Sequence, residues 1–284
     1  MESLKNISET VAETLLITLF CRAVETESKN PVIIDYKAVE IVKQLSEQYD
    51  FSKLEKVRNF KQLAVTMSMR ARRFDHYVQQ FLAQTPDGIV VNIGCGLDTR
   101  FHRLGLDKGQ IEWYDLDLPE VIAIKKSFFQ ESERYQFISS SVLDFEWMTP
   151  LSQKNRPLLF LAEGVFMYLY EEDVKRLILQ LQATVPGSEL ACEVTNIFWV
   201  KRMQQGYMKR KFQRRFHLGD DVTFHWGIKE GSELESWNPG IKLLDEWTYF
   251  DEPEKKLGWM RFFGRFSQLR KTQWIVHYKL NAPP

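Results

Sequence analysis

A glycine loop directly follows a short apolar run, and its residue types suit the binding of a cofactor. Residues 91–100 read V-N-I-G-C-G-L-D-T-R, and Gly94 and Gly96 allow the backbone to turn tightly and approach a ligand without an obstructing Cβ. A dinucleotide fingerprint requires a third glycine three residues after Gly96, where Thr99 stands. The loop therefore disfavours NAD, although a purely structural turn could have the same pattern.

Two acids follow the next apolar run. Asp115 and Asp117 lie 19 and 21 residues after Gly96, which is the distance at which a carboxylate meets ribose hydroxyls in nucleotide-binding folds. The spacing does not choose between them. Together with the glycine loop, these acids favour a cofactor that contains a nucleoside.

The histidines and cysteines show neither a metal-binding nor a nucleophilic pattern. The sequence contains no HExxH motif, no CxxC pair and no histidines at metal-ligand spacing. Cys95 in the glycine loop is better explained as a small buried side chain than as a nucleophile. His217 and His225 flank two aspartates, so either could act as a base, although a structural role is more common. We predict no metal and assign no catalytic residue.

Seven short runs predict the strands that position these residues. They are Ile89–Ile93, Ile111–Tyr114, Gln136–Ser139, Leu158–Ala162, Leu190–Val194, Leu243–Tyr249 and Trp274–Lys279. The first five are continuously apolar, which is typical of parallel strands covered on both faces, whereas the last two alternate more. Between the fourth and fifth, three acids at 171–173 and an apolar stripe from Val174 to Leu181 predict a helix. A mostly parallel α/β sheet follows.

One α/β domain with a helical cap is the predicted organisation. Residues 1–86 have apolar positions at helical spacing, and residues 87–284 form the core, with a helical lid insertion over about 196–240. The 284 residues include 38 basic and 38 acidic ones, so the net charge does not attract nucleic acid. Three scattered cysteines and apolar runs too short to span a bilayer predict a cytoplasmic protein without a membrane partner.

Five segments carry a resemblance to a known family. They read M-R-A-R-R-F-D at 69–75, V-N-I-G-C-G-L-D-T-R-F-H-R-L at 91–104, D-L-D-L-P at 115–119, D-F-E-W at 144–147 and A-E-G-V-F-M-Y-L at 162–169. These segments resemble motifs of the family of leucine carboxyl methyltransferases and tetracenomycin-type polyketide O-methyltransferases. The resemblance implies a Rossmann-like class I methyltransferase fold, with seven strands of which the last is antiparallel, and S-adenosylmethionine as cofactor.

The resemblance also implies roles for eight residues in cofactor binding. It assigns Arg70 to the methionine carboxylate, which a guanidinium can grip with two hydrogen bonds, and Glu163 to the ammonium group. The others are Gly94 and Gly96 beneath the methionine and ribose, Asp117 or its rival Asp115 at the ribose, and Asp144 with Phe145 at the adenine. The structural alternatives are a solvated basic cluster for Arg70 and an acid that fixes the following glycine turn for Glu163.

One segment departs from the family motif, and a second, basic segment has two possible functions. Many relatives read Asp-Pro-x-Ala where this chain has Asp35-Tyr36-Lys37-Ala38, and neither Lys29 nor Lys37 is in register with the lysine that meets the cofactor in the protein-methylating branch. Residues 201–217 carry seven lysines and arginines without an acid. This stretch could present positive charge to an anionic substrate or an RNA, or it could be a solvated helix.

The function that the resemblance implies is methyl transfer to oxygen. A carboxylate is already ionised near neutral pH, whereas a hydroxyl acceptor calls for a base. We predict an S-adenosylmethionine-dependent O-methyltransferase that acts on a carboxylate or hydroxyl of a small, polyketide-like molecule. The alternatives are carboxyl methylation of a protein C-terminus and a non-catalytic module that binds the cofactor or RNA.

Overall fold

Seven strands form one mixed sheet in the computed structural model, which describes residues 9–57, 59–204 and 223–283. The strands are β1 (Ile89–Ile93), β2 (Glu112–Asp117), β3 (Tyr135–Ser139), β4 (Leu158–Ala162), β5 (Ser188–Thr195), β6 (Ile241–Trp247) and β7 (Gln273–Leu280). Their order across the sheet is β3-β2-β1-β4-β5-β7-β6, with β1 to β5 parallel and β7 antiparallel to both neighbours. This arrangement confirms the predicted class I methyltransferase sheet with its antiparallel last strand.

Helices cover both faces of the sheet. They are α1 (Glu9–Thr26), α2 (Tyr36–Leu45), α3 (Ser52–Glu55), α4 (Phe60–Gln84), α5 (Arg100–Arg103), α6 (Pro119–Lys125), α7 (Met148–Ser152), α8 (Glu171–Thr184), α9 (Ile197–Met203) and α10 (Ser267–Arg270). Because neighbouring strand residues point to opposite faces, Val90 and Leu159 share a core with α1, α2 and α4, whereas Val91 and Phe160 share one with α7 and α8. The residues predicted as a cap thus form one layer of the core. No helix within these ranges is long and apolar enough to cross a membrane.

The second strand continues beyond the apolar run that predicted it. Ile111–Tyr114 was too short, since β2 extends to Asp117. Asp115 lies inside the sheet opposite Phe137, and Lys125 Nζ neutralises its charge at 2.9 Å. A strand prediction based on apolar residues alone therefore ends before the acid.

The last two strands also differ from their prediction. β7 runs one residue further at each end than the predicted Trp274–Lys279, and despite the alternation in its sequence it is buried over nearly its whole length because it lies between β5 and β6. β6 begins and ends two residues earlier than Leu243–Tyr249. It ends at Trp247 because Asp251 Oδ2 accepts a hydrogen bond from the Thr248 N–H at 2.6 Å and closes a turn.

The predicted lid insertion is described only in part. α9 begins after Asn196, whose side chain accepts a hydrogen bond from the Phe198 N–H at 3.0 Å. Residues 223–240 pack beside it, with a β-bridge between Ile228 and Asn196. Lys201 and Arg202 are exposed on α9. The remainder of the basic stretch and its neighbours lies outside the described residues: Lys209, Arg210, Lys211, Arg214, Arg215, His217, Asp220 and Asp221.

Candidate functional site

The glycine loop leaves β1 and packs closely against the segment that follows β4. Gly94 and Gly96 have φ values of 61° and 47°, which glycine adopts without strain. A Cβ on Gly94 would lie 2.4 Å from Cγ2 of Val165. Burial raises the pKa of the Cys95 thiol between the glycines, so the thiol stays protonated. The loop requires its glycines for shape, and Cys95 lies there as a small buried side chain.

The two aspartates at the end of β2 have different surroundings. Asp117 is partly exposed and accepts hydrogen bonds from the backbone N–H groups of Gly96 and Leu118, each at 2.8 Å. Burial raises the pKa of its carboxyl. Asp115 is only 1% exposed. Its oxygens accept from four donors: Asn92 Nδ2, Trp113 Nε1, Tyr135 Oη and Lys125 Nζ. Asp117 thus contacts the glycine loop, whereas Asp115 belongs to the core.

Arg70 on α4 lies between two glutamates. Its Nε donates to Glu163 Oε1 and its Nη1 donates to Glu193 Oε2, both at 2.8 Å. Its Nη2 makes no hydrogen bond within the described ranges. Gly164 lies beside the guanidinium, and a Cβ there would approach Nη1 and Nη2 to 3.6 and 3.7 Å. The glycine turn therefore leaves one edge of the guanidinium open.

A second arginine makes the two glutamates electrostatically unequal. Arg100 Nη2 donates to Glu163 Oε2 at 2.7 Å. Burial opposes the ionisation of Glu163, but Arg70 and Arg100 lower its pKa overall. Glu193 is ion-paired only with Arg70 among the described residues, and burial raises its pKa. Glu163 is therefore firmly ionised, whereas Glu193 is the more easily protonated carboxylate.

Asp35 connects the amino-terminal helices to the glycine loop. It caps α2, and its Oδ2 accepts from Thr99 Oγ1 at 2.6 Å and from Arg22 Nε at 2.9 Å. Tyr36, which replaces the proline of the family motif, is 75% exposed. Lys37 pairs with an acid on its own helix. The aspartate keeps a positioning role without the proline, and the structure gives Lys37 no contact with the glycine loop.

A cavity of about 650 Å³ brings part of the predicted site together. Arg70, Gly94, Gly96 and Glu163 all line it. Much of the remaining lining is apolar and aromatic, including Tyr168, Trp199, Tyr249, Phe250, Met260 and Phe263. The cavity therefore joins a charged region at the glycine loop to an apolar region that could hold a second molecule.

The other four predicted residues do not line the cavity: Asp115, Asp117, Asp144 and Phe145. Asp144 is exposed and Phe145 is partly buried, just after β3. The Arg176 guanidinium lies 5.4 Å from the centroid of the Phe145 ring. Since β1, β2 and β3 are parallel neighbours, the segments after them meet at one sheet edge. Asp117, Asp144 and Phe145 share that edge with the glycine loop.

Sequence reasoning missed Glu193 and Tyr249. Glu193 is wholly buried on β5, and its Oε1 accepts a hydrogen bond from Tyr249 Oη at 3.2 Å. Charged residues are almost never fully buried unless they are paired. A glutamate inside the apolar run Leu190–Val194 was therefore a usable signal for Glu193. Tyr249 follows β6, and nothing in its local sequence marks it.

Sequence comparisons identify relatives over most of the chain. The family model for leucine carboxyl methyltransferase matches residues 15–182. The tetracenomycin polyketide synthesis O-methyltransferase TcmP of Streptomyces glaucescens is 31% identical over 243 residues, which cover 86% of this chain and 84% of that protein. The S-adenosyl-L-methionine-dependent methyltransferase dpfgK of Gibberella zeae is 28% identical over 280 residues, which cover 93% and 90%.

A solved structure agrees on the fold. A candidate methyltransferase of Thermobifida fusca YX has a TM-score of 0.53 and 16% identity, covering 76% of this chain and 82% of that one. The family and its curated relatives confirm the predicted class of enzyme, a methyltransferase that depends on S-adenosylmethionine. The chain belongs to the leucine carboxyl methyltransferase family.

Proposed function

We propose that the protein transfers a methyl group from S-adenosylmethionine to an oxygen atom of a small, planar and largely apolar molecule. The observation that carries this proposal is the cavity, in which the glycine loop and Arg70 share a space with aromatic side chains. Small-molecule sites are typically concave and mostly apolar, with a few polar groups that fix orientation. A polyketide-like acceptor fits this lining, and the relative TcmP acts in polyketide synthesis.

The polar groups around the glycine loop suit the parts of the cofactor. Arg70 Nη2 is open to a carboxylate, and the ionised Glu163 suits an ammonium group. Asp117 keeps lone pairs that can accept hydrogen bonds from two vicinal hydroxyls, since each of its oxygens accepts one backbone hydrogen bond. Phe145 offers a ring and Asp144 a carboxylate at the same sheet edge. We propose these five residues as the cofactor-binding side chains.

Asp115 is left out of the proposed cofactor site. Its oxygens already accept from four donors, and Lys125, which is wholly buried, depends on it for charge neutralisation. Leaving that lysine buried without its counter-charge would cost several kcal/mol. Gly94 and Gly96 stay in the proposal, because their missing side chains leave the backbone beside Asp117 accessible.

Methyl transfer of this kind mainly requires alignment and the exclusion of water. S-adenosylmethionine supplies a methyl group already activated by its sulfonium charge, so no covalent enzyme intermediate is needed. The apolar lining, including Trp199, Phe250 and Phe263, would hold a flat acceptor in one orientation and keep water out.

Methyl-labelled S-adenosylmethionine tests the proposal. The protein is incubated with the labelled cofactor and a cell extract, which is then separated into small molecules and proteins. We expect label in the organic-soluble small molecules with the wild type and a strong decrease with Asp117→Asn. Label confined to protein carboxyl termini would favour the protein-methylating alternative, and cofactor binding without any transfer would favour the non-catalytic module.

A further inference from the structure

Glu193 is a buried carboxylate that pairs with Arg70 but is not among the groups proposed to contact the cofactor. Its side chain is wholly shielded from solvent, and its Oε2 accepts a hydrogen bond from Arg70 Nη1 at 2.8 Å. Its Oε1 accepts one from Tyr249 Oη at 3.2 Å. Tyr249 lines the cavity and is 9% exposed. One phenol therefore connects a fully buried acid to the space where an acceptor would bind.

The groups around Glu193 favour proton exchange at this carboxylate. Burial raises its pKa above the ordinary value, and repulsion from Glu163 acts in the same direction, whereas Arg70 on α4 and the hydrogen bond from Tyr249 act against this increase without cancelling it. Within the described ranges, the other titratable groups that interact with it are neutral near pH 7, and burial raises the pKa of each further above that pH: Tyr168, to about 12, Tyr249 and Cys192. A base works best when its pKa lies near the working pH, and Glu193 is moved in that direction.

We propose that Tyr249 and Glu193 together accept the proton of a hydroxyl group during methyl transfer, an inference that rests on the proposed function. A hydroxyl bound in the cavity would donate a hydrogen bond to Tyr249 Oη, whose own hydrogen is directed to Glu193. As the acceptor oxygen bonds to the methyl carbon, its proton moves to Tyr249 Oη and the phenol proton moves to Glu193 Oε1. Tyr249 is the catalytic residue, and Glu193 takes up the proton behind it.

The charges balance in this step. The acceptor oxygen uses a lone pair for the new C–O bond, and the electron pair of the S–C bond remains on sulfur. A sulfonium cation and the glutamate anion are consumed, while a neutral ether, a neutral thioether and a protonated Glu193 result. Glu193 returns the proton to solvent once the product leaves. A carboxylate acceptor has no proton to give up, so the pair specifies a hydroxyl acceptor, such as a phenol.

Two planar probes of similar size, 2-naphthol and 2-naphthoic acid, test this inference. With the wild type we expect the methyl ether of 2-naphthol, formed at a rate that increases as Glu193 ionises with rising pH. Tyr249→Phe should decrease kcat for the ether by about 100-fold, the order contributed by a general base, with unchanged affinity for S-adenosylhomocysteine. Its residual rate should increase only at the higher pH where 2-naphthol ionises by itself. Tyr170→Phe, at a tyrosine that is 58% exposed, is the matched control and should behave as the wild type.

A second variant addresses the carboxylate directly. Glu193→Gln should lose the same ether activity and the low-pH inflection of the rate. The wild-type complex with S-adenosylhomocysteine should show the infrared band of a protonated, buried carboxyl group at pH values above the ordinary pKa of glutamate. Glu193→Gln should lack this band.

Three results would overturn the inference. They are an unchanged ether rate and pH profile in Tyr249→Phe, ester formation from 2-naphthoic acid without ether formation from 2-naphthol, and binding of S-adenosylhomocysteine without methylation of either probe. A wild-type protein that does not bind S-adenosylhomocysteine would instead refute the proposed function itself.

Discussion

Arg70 Nε donates to Glu163 Oε1 at 2.8 Å, and this ion pair joins α4 to the turn after β4 across 93 residues of sequence. The contact brings a charged group from the amino-terminal helices to the cavity that also contains the glycine loop. A substitution that removes this ion pair should therefore affect both the stability of the fold and the binding of the cofactor.

Arg70→Ala should lower both stability and cofactor affinity. Removing the cation leaves Glu193 buried without its ion-pair partner, which costs about 3–5 kcal/mol for a pair of this kind. Arg72→Ala on the same helix is the control, because its pair with Glu252 is more than one-third exposed on both sides and such pairs contribute about 0–1 kcal/mol. Urea unfolding and calorimetric titration with S-adenosylhomocysteine measure the two effects. Equal losses of stability and affinity in the two variants would contradict the assignment of Arg70 to the buried ion pair and the cofactor.

The two aspartates of β2 should separate binding from stability. Asp117→Asn should weaken binding of S-adenosylhomocysteine about tenfold or more, because hydrogen bonds to a charged group contribute about 1.5–3 kcal/mol. It should lower the free energy of unfolding by only about 1 kcal/mol, because one of its two backbone hydrogen bonds is lost. Asp115→Asn should instead destabilise the fold by about 3 kcal/mol, since Lys125 would stay buried without a counter-charge. The same titrations and urea curves apply. If Asp115→Asn bound S-adenosylhomocysteine more weakly but kept the wild-type free energy of unfolding, Asp115 and not Asp117 would be the residue that binds the cofactor.

Alanine at Gly94 should be more harmful than alanine at Gly105. Both glycines have nearly the same φ, 61° and 62°, so both variants carry a similar backbone strain of about 1–3 kcal/mol. Among the described residues, a Cβ at Gly105 meets no atom within 4 Å, whereas one at Gly94 meets Val165 at 2.4 Å. Thermal unfolding should show an extra loss of about 1–3 kcal/mol in Gly94→Ala from overpacking, and Val165→Ala should restore part of it. Identical losses at the two glycines would show that the contact is unimportant.

Acid should destabilise the protein in part through Asp35. Burial opposes its ionisation, but Arg103 and Arg22 lower its pKa below the ordinary value of 3.8. The unfolded chain therefore takes up this proton first as the pH falls. The stabilisation is complete above pH 3.8 and is lost as the pH falls toward the lowered pKa. In urea unfolding, Asp35→Asn should be less stable than the wild type at neutral pH and should lose less stability in acid. If the free energy of unfolding decreased equally in both proteins as the pH falls, Asp35 would not contribute to the acid destabilisation.

The sheet could be predicted where a short, mostly apolar run forms a strand that is buried along its whole length. β1 and β4 have the predicted bounds because every residue in them is buried. The end of β2 could not be predicted from the sequence, because Asp115 is buried in the strand only through its ion pair with Lys125 from the following helix. The burial of β7 could not be predicted either, since it depends on insertion of that strand between β5 and β6.

The candidate site was predictable where its residues lie in local motifs. Arg70, Gly94, Gly96 and Glu163 come from contiguous segments, and they do line one cavity. Glu193 and Tyr249 come from β5 and the turn after β6, two strands that β7 separates. The apolar run around Glu193 marks that residue locally, but only the folded chain places it beside Tyr249, so no local pattern could identify the pair.

A crystal structure of the protein with S-adenosylhomocysteine tests the central claim most directly. We expect the ligand's carboxylate at Arg70 Nη2, its ammonium group at Glu163 and its ribose hydroxyls at Asp117, with the sulfur directed toward the aromatic lining of the cavity. A ligand bound elsewhere, or bound at the glycine loop without contact to Arg70 and Asp117, would contradict the proposed site.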